Sequence, residues 1–371
     1  MKKLLYIALA EFENPADGVG IKVHSQIKGM KQLNYDVYCI SYGLNSVCVF
    51  HDQEKKVLAE GKIPDRLLYM RALLQYIKEN SFEVCYIRYP HIDWHLKRAI
   101  KKLKRAGSKI YMEIPTYPMH VPSIRQDGIV QMVMYGLDKY FTLDLQQYVY
   151  RVLYIGNPTE NIWKCTSLHI ANGCDVEQYP MKRREQHDPN RLTMIAVAGM
   201  FAHHGFERLI QGMADYYRKE DRPISIKLYL VGDGPEKAFY QQLCEDGDMG
   251  DHVVFSGPIW GSELDALFDE ADMAVTSLGL YNERLYCAST LKLKEYLTRG
   301  IPFILACEEE GLDSSLPYVF KVDNDESILD MEHVIEFYRS VRQQDFRAQM
   351  RQYAMDNFTW RAIYQNALDE L

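Results

Sequence analysis

Short, almost uninterrupted apolar runs alternate with amphipathic helical stretches along nearly the whole chain. LLYIALA, YDVYCIS, VCYIRYP, KIYMEIP and TSLHIAN are strand candidates in the first half. Between them lie a helix from about Ile21 to Leu33 and the helical pattern DRLLYMRALLQYIKEN. Strands this apolar are covered on both faces, and the intervening helices supply the cover, so the pattern predicts parallel sheets in an α/β protein. The alternation pauses at MKRREQHDPNR, residues 181–191, a polar stretch with the composition of a linker. It restarts with LTMIAVAG, ISIKLYLVG, HVVFSG, MAVTSL and PFILAC, each separated by helical sequence, and the C-terminus is helical. Two similar α/β halves predict two Rossmann-like domains facing across a cleft, with ligands where strand ends meet helix starts. The expected boundaries are 1–182 for the first domain, 190–345 for the second and 346–371 for a helical tail.

The chain has 371 residues, enough to bury about three-quarters of its unfolded surface without disulfides or a structural metal. Its eight cysteines contain no CxxC pair, which argues against a zinc site and for free thiols in a reducing compartment. No apolar run approaches the roughly 18–20 residues of a membrane helix. Lys2-Lys3 before LLYIALA has the look of a short signal peptide, but the glycine loop and helix that follow favour a first β-strand and a cytoplasmic protein. The net charge of −8 is unevenly spread. Residues 1–180 hold 23 Lys+Arg against 18 Asp+Glu, and residues 181–371 hold 20 against 33. An acidic chain of this kind is not a nucleic-acid binder, but its basic half is suited to an anionic partner. HLKRAIKKLKRAGSK, residues 95–109, concentrates that charge on an amphipathic helix. Its polar face is either simply solvated or docks on an anionic membrane leaflet.

Several segments could hold a phosphorylated ligand. GVGIKVHSQ opens a helix after the first strand, and Gly18 and Gly20 would let backbone amides approach an anion. It lacks the third glycine of GxGxxG. VGDGPE, with Gly232 and Gly234, is either a plain strand-to-helix turn or a backbone wall against a nucleotide. In CASTLKLKEYLTRGIP, Ser289 is a good N-cap and Thr290 begins the first helical turn. Lys292 and Glu295 are three residues apart and share a face, so a helix mouth carries a cation and, one turn on, a carboxylate. A diphosphate with its ribose fits that array. His204 and Gly205 lie at the tip of the loop HHGFERLIQG, and Tyr281 and Arg284 lie in a loop before the helix mouth. There is no GxSxG, no HExxH and no metal constellation.

With these segments in place, the chain resembles retaining glycosyltransferases of the GT-B fold, family 4. The segments that carry the likeness are NGCDVEQYP, VAGMFAHHGFERLI, VGDGPE and STLKLKEYLTRGIP. YIRYP, EIPTYP and SLGL are similar to a bacterial subgroup associated with capsule and other surface polysaccharides. The resemblance implies a nucleotide-sugar donor bound by the second domain, an acceptor on the first, and a final helix, in FTWRAIYQNALDEL, that returns to the first domain. It assigns the donor ribose to Glu295, the diphosphate to Ser289 and Thr290, and the loop facing the phosphates to Gly18–Gly20. It places Glu113 and Tyr117 of EIPTYP on the acceptor side, with His120 as the first-domain catalytic histidine. Three positions depart from the family pattern. Cys287 stands where an acidic residue is usual eight positions before the ribose glutamate, Met200 stands at or near a usual arginine, and His204 stands at a usual lysine. Cations at Lys292, Lys294 or Arg284 would then have to meet the phosphates.

The expected activity is a cytoplasmic, metal- and cofactor-independent transfer of a sugar from a nucleotide-diphosphate donor to a saccharide hydroxyl, the saccharide being lipid-linked and the enzyme peripheral on the inner membrane face. Glu295, Lys292 and His120 are the catalytic candidates. Two rivals come from other classes: a catalytically silent GT-B-like subunit, motivated by Cys287 and the missing cations, and an NAD-dependent oxidoreductase.

Overall fold

The computed structural model describes residues 1–14, 17–119, 121–122, 124–183 and 188–368. It divides into two units, Met1–Gly173 with Trp360–Leu371, and Cys174–Thr359.

In the first unit LLYIALA lies within β1 (Lys2–Glu11), which pairs in parallel with β2 (Tyr35–Gly43) on one side and β5 (Val84–Arg88) on the other. The parallel run continues through β6 (Lys109–Tyr117), β7 (Arg151–Gly156) and β9 (Cys165–His169). A hairpin that the apolar periodicity does not reveal, β3 (Ser46–His51) and β4 (Glu54–Glu60), extends the β2 edge in antiparallel pairing. Asn45 and Asp52 make its turns at positive φ, a conformation that Asn and Asp tolerate. A short β8 (Asn161–Ile162) completes the order β4-β3-β2-β1-β5-β6-β7-β9-β8 among the described residues. Aspartates start the covering helices. Asp17 accepts from the Val19 amide to begin α1 (Gly18–Gln32), Asp65 from Leu68 to begin α2 (Arg66–Glu79), and Asp93 from Leu96 to begin α3 (Trp94–Arg105). A fourth helix, α4 (Ile124–Thr142), is broken at Gly128, where φ is 82°. Leu5, Ile7, Ile40, Leu73, Ile87, Leu96 and Ile110 belong to one continuous core.

The second unit is a six-stranded parallel sheet in the order β12-β11-β10-β13-β15-β17 among the described residues. Its strands are β10 (Arg191–Val197), β11 (Ser225–Val231), β12 (Val253–Gly257), β13 (Met273–Val275), β15 (Phe303–Leu305) and β17 (Val319–Lys321). Helices α5 (Glu207–Tyr217), α6 (Lys237–Asp246) and α7 (Ser262–Glu270) alternate with the first strands. After β13 a two-residue strand, β14 (Cys287–Ala288), leads into α8 (Leu291–Arg299) and pairs with β16 (Glu308–Glu309) beyond β15. The unit closes with α9 (Met331–Val341) and α10 (Arg347–Phe358). The chain runs outward in one direction from β10 to β12 and in the other from β13 to β17. The switch point of a doubly wound sheet therefore lies between β10 and β13.

Composition places the boundaries at 182–190 and 345/346, whereas the compact units divide at 173/174 and 359/360. Hydrogen bonds give the reason. The Lys182 amide donates to the Arg299 carbonyl, and the Arg351 guanidinium donates to the carbonyls of Val176 and Tyr179, so residues 174–182 are tied to the second unit. Of the helical tail, only α11 (Trp360–Ala367) joins the first unit. Residues 184–187 of the linker stretch lie outside the described residues.

Candidate functional site

At the switch point of the second unit, three segments distant in sequence converge. The loop after β10 contributes His203, His204 and Gly205, the loop after β13 contributes Ser277 to Gly279, and α8 contributes Lys292. The Leu278 amide donates to the His204 carbonyl at 2.8 Å. A Cβ on Gly205, where φ is 62°, would lie 2.4 Å from the Gly279 nitrogen, so this crossing requires glycine. Arg208 locks the loops from beneath. It is 2% exposed and donates to the carbonyls of Leu278 and Ser327 at 2.6 Å and of Asp323 at 3.0 Å.

Lys292 is part-buried in this crevice. Its ammonium donates to Ser277 Oγ at 2.9 Å and, among the described residues, forms no ion pair. Burial lowers its pKa to about 7, against a weaker opposing pull from Glu309. His204 is buried, and its Nδ1 accepts from the Phe201 amide at 3.0 Å, which leaves the proton on Nε2. Burial, reinforced by the Lys292 charge, lowers its pKa to about 3, so the ring is neutral and acts as a donor. The Thr290 side chain does not cap the first turn of α8. The crevice thus offers an ammonium with no carboxylate at ion-pair distance among the described residues, an imidazole N–H and the first-turn amides that follow Thr290. That donor set suits a polyanion.

One turn along, Glu295 is 12% exposed and accepts from Arg299 Nε at 2.8 Å. Burial raises its pKa, and Arg299 works in the opposite direction. Arg299 is held in turn by Asp265 at 2.7 Å and lies over the Phe268 ring. Glu295 is therefore fixed through one oxygen.

Two expectations for α8 are corrected. Its N-cap is Thr290; Ser289 is buried, and its hydroxyl accepts from Lys294 at 2.9 Å. Lys294 is fully buried and paired with Glu309 at 3.0 Å, so it cannot serve as a cation for phosphate. Glu309 was not singled out in the sequence. It accepts from both the Thr290 amide and hydroxyl, and it reaches α8 only because β16 pairs with β14. The same pairing brings Glu310 beside Cys287, Sγ to Oε2 at 3.7 Å. A polar residue closing an apolar strand could have flagged Ser277, but nothing local marks Glu309, Arg299 or Arg208.

The other predicted positions scatter. Arg284 is an exposed loop residue at positive φ. Gly232 and Gly234 answer a backbone demand: a Cβ on either would lie within 2 Å of the carbonyl oxygen of Ala198 or Gly199. In the first unit, Gly18 begins α1 under the Asp17 cap, and Gly20 packs near the Glu11 carbonyl. Glu113 is fully buried, with Lys22 at 3.3 Å, Arg88 at 2.8 Å, Tyr86 at 2.7 Å and Gln26 at 2.6 Å around its carboxylate. Burial alone would raise its pKa, but these cations and donors outweigh it and bring the value to about 2. Tyr117 is part-exposed, with its ring against Tyr154. His120 lies outside the described residues.

Residues 178–312 match the family described as glycosyl transferases group 1. Among curated proteins, no sequence matches the chain. Solved structures match across nearly its whole length. A glycosyltransferase from Rickettsia africae superposes with a TM-score of 0.65 at 12% identity, covering 99% of this chain and 97% of that one. Sucrose-phosphate synthase from Thermosynechococcus elongatus gives 0.63 at 14% identity, covering 99% and 97%. HepE from Anabaena, in complex with UDP, gives 0.61 at 13% identity, covering 100% and 99%. The fold is GT-B, and together with the match over 178–312 it supports a GT-B glycosyltransferase.

Proposed function

We propose that the protein transfers a sugar from a nucleotide-diphosphate donor to a hydroxyl of a saccharide, with retention at the anomeric carbon. The observation that carries this reading is Lys292, a part-buried ammonium bonded to a neutral hydroxyl at the switch point of the group 1 segment. In this reading the diphosphate lies on the amides of α8, Lys292 and the His204 N–H, with no metal required, and Glu295, oriented by Arg299, receives the ribose hydroxyls. As the bond from the anomeric carbon to the phosphate oxygen breaks, negative charge grows on the leaving diphosphate, where fixed donors lower the barrier most. The acceptor oxygen bonds to that carbon, and its proton passes to the leaving phosphate. Glu310, in the turn after β16 and beside Cys287, supplies in this reading the carboxylate that the resemblance places at 287. This observation favours an active enzyme over a silent subunit. HepE, solved with UDP and with UDP-glucose, makes UDP the first nucleotide to test.

The wider part of the proposal is a place in surface-polysaccharide synthesis of the family 4 kind. It has a lipid-linked acceptor on the first unit and peripheral attachment to the inner leaflet through the basic helix α3. Calorimetric titration with UDP and ADP tests the donor site. Charge-assisted hydrogen bonds contribute about 1.5–3 kcal/mol, so Glu295→Ala should weaken the preferred nucleotide by about one to two orders of magnitude. Unchanged affinity would remove this assignment.

A further inference from the structure

In the first unit, α4 has its amphipathicity reversed. A surface helix ordinarily turns its apolar stripe inward and its polar face to water. Here the two buried residues between 128 and 142 are polar, with Phe141 part-buried against the core. Asp138 is buried, accepting from the Tyr89 hydroxyl and the Ile92 amide, and Thr142 is buried beside it. The large apolar residues facing solvent are Ile129, Val130, Val133, Met134, Leu137 and Tyr140. At 100° per residue they fill an arc of roughly 140°, centred roughly 110° from Asp138. Val130 is 74% exposed and Leu143, just past the helix, 69%. From 129 to 143 the one exposed charge is Lys139.

The neighbouring surface of the same unit is strongly basic. Lys97 of α3 ties the two helices together, donating to the Phe141 carbonyl at 2.9 Å and pairing with Asp144. Beyond it, Arg71 and Lys78 of α2 face Arg98, Lys101, Lys102 and Arg105 of α3 across a groove of about 790 Å³. Trp94 stands at the groove's edge, 65% exposed.

We infer that α4 is an interfacial anchor that lies in an anionic bilayer, its apolar arc among the acyl chains, while the α2–α3 groove holds lipid phosphates. Charge complementarity selects this occupant. An apolar helix beside a basic, tryptophan-bearing surface matches both layers of an anionic membrane interface, acyl chains below and phosphates above. The inference extends the peripheral attachment proposed above and does not depend on the donor site.

The test is co-sedimentation of the full chain with vesicles of phosphatidylcholine alone and of phosphatidylcholine mixed with phosphatidylglycerol. Binding should require the anionic lipid and weaken as salt shortens the Debye length. Arg98→Gln, Lys102→Gln and Arg105→Gln together should lower affinity about fivefold per residue removed. Val130→Asp with Val133→Asp lies off the Asp138 face. This variant should retain the wild-type circular dichroism and UDP affinity yet bind the anionic vesicles at least about tenfold more weakly. Tryptophan at Val130 should shift its emission to the blue on adding those vesicles. Three outcomes would overturn the inference: no sedimentation of the wild-type chain with anionic vesicles, wild-type binding by the aspartate variant, or a dimer in lipid-free buffer that the aspartate variant dissolves. The last would assign the stripe to a second copy. Lost vesicle binding with intact UDP binding leaves the donor site standing, and the converse leaves the anchor.

Discussion

Lys292 is the residue on which the donor site turns. Burial brings its pKa down to about 7, below the value of 10.5 in an unfolded chain, so folding disfavours its charged form. Between those two values the unfolded state binds more protons, and stability from this group rises with pH. An anion in the crevice reverses that preference by favouring the ammonium. Nucleotide binding should therefore couple to proton uptake above pH 7. We expect affinity for UDP to fall between pH 7.5 and 9, by up to about tenfold per unit, a window where the nucleotide's terminal phosphate is already fully ionised. Lys292→Met should flatten that profile and leave the ligand-free protein at least as stable in thermal melts. A wild-type profile flat over the same window would argue against an ammonium–phosphate contact. His204 works differently. Its Nδ1 is committed to the Phe201 amide and its pKa lies near 3, so its contribution as a donor should not vary over this range.

At the level of the element, α8 has its two faces at different tasks. Lys292 faces the crevice and Glu295 is held by Arg299, while Lys294 is turned into the unit, with Glu309 and Ser289 as its partners. Both members of the Lys294–Glu309 pair are almost wholly buried. Removing one partner of such a pair leaves the other charge unpaired, at about 3–5 kcal/mol, although the intact pair adds little over an apolar replacement. Glu309→Ala should therefore destabilise the second unit by about that amount in urea unfolding. Combining it with Lys294→Met should recover part of the loss, since the orphaned ammonium is then gone. Additive losses would mean that the carboxylate matters mainly as the acceptor for Thr290 N–H and Oγ1–H. Both side chains are already committed, Lys294 to Glu309 and Ser289, and Glu309 to Lys294 and Thr290.

Across the whole molecule, the chain crosses between units at Gly173/Cys174 and again at Thr359/Trp360. The last helix of the sequence is thus part of the first unit's core. Trp360 is 2% exposed, and a Cβ on Gly29 or Gly173 would come within 2.5 Å of its side chain. Four residues on, the Tyr364 hydroxyl donates to the Tyr86 hydroxyl, which donates to Glu113. The buried carboxylate network and the C-terminal helix therefore hold one another in place. Trp360→Ala should cost about 3–5 kcal/mol, the range for emptying a buried aromatic site. Hydrogen exchange should locate that loss in the amides of β1 and β5, which end 349 and 272 positions before Trp360 in sequence, with β10 and β11 little changed. Equal loss of protection in both units would mean that they unfold as one cooperative body.

The α/β class and the two-part organisation were legible in the amino-acid sequence. They rest on hydrophobic periodicity and on the Gly and Pro turns that separate its segments. The helix carrying Lys292 and Glu295 was legible for the same reason, since spacing along one helix fixes a shared face. Tertiary structure alone decided which unit residues 174–182 and α10 belong to, because hydrogen bonds across the fold outweigh composition there. It also turned Lys294 inward and brought Glu309 to Thr290 through the pairing of β14 with β16, strands some twenty residues apart. Only burial could show that Glu113 is enclosed by its own partners. Only burial, too, could show that the apolar residues of α4 face outward, since periodicity defines a stripe but not the side of the helix that meets the core.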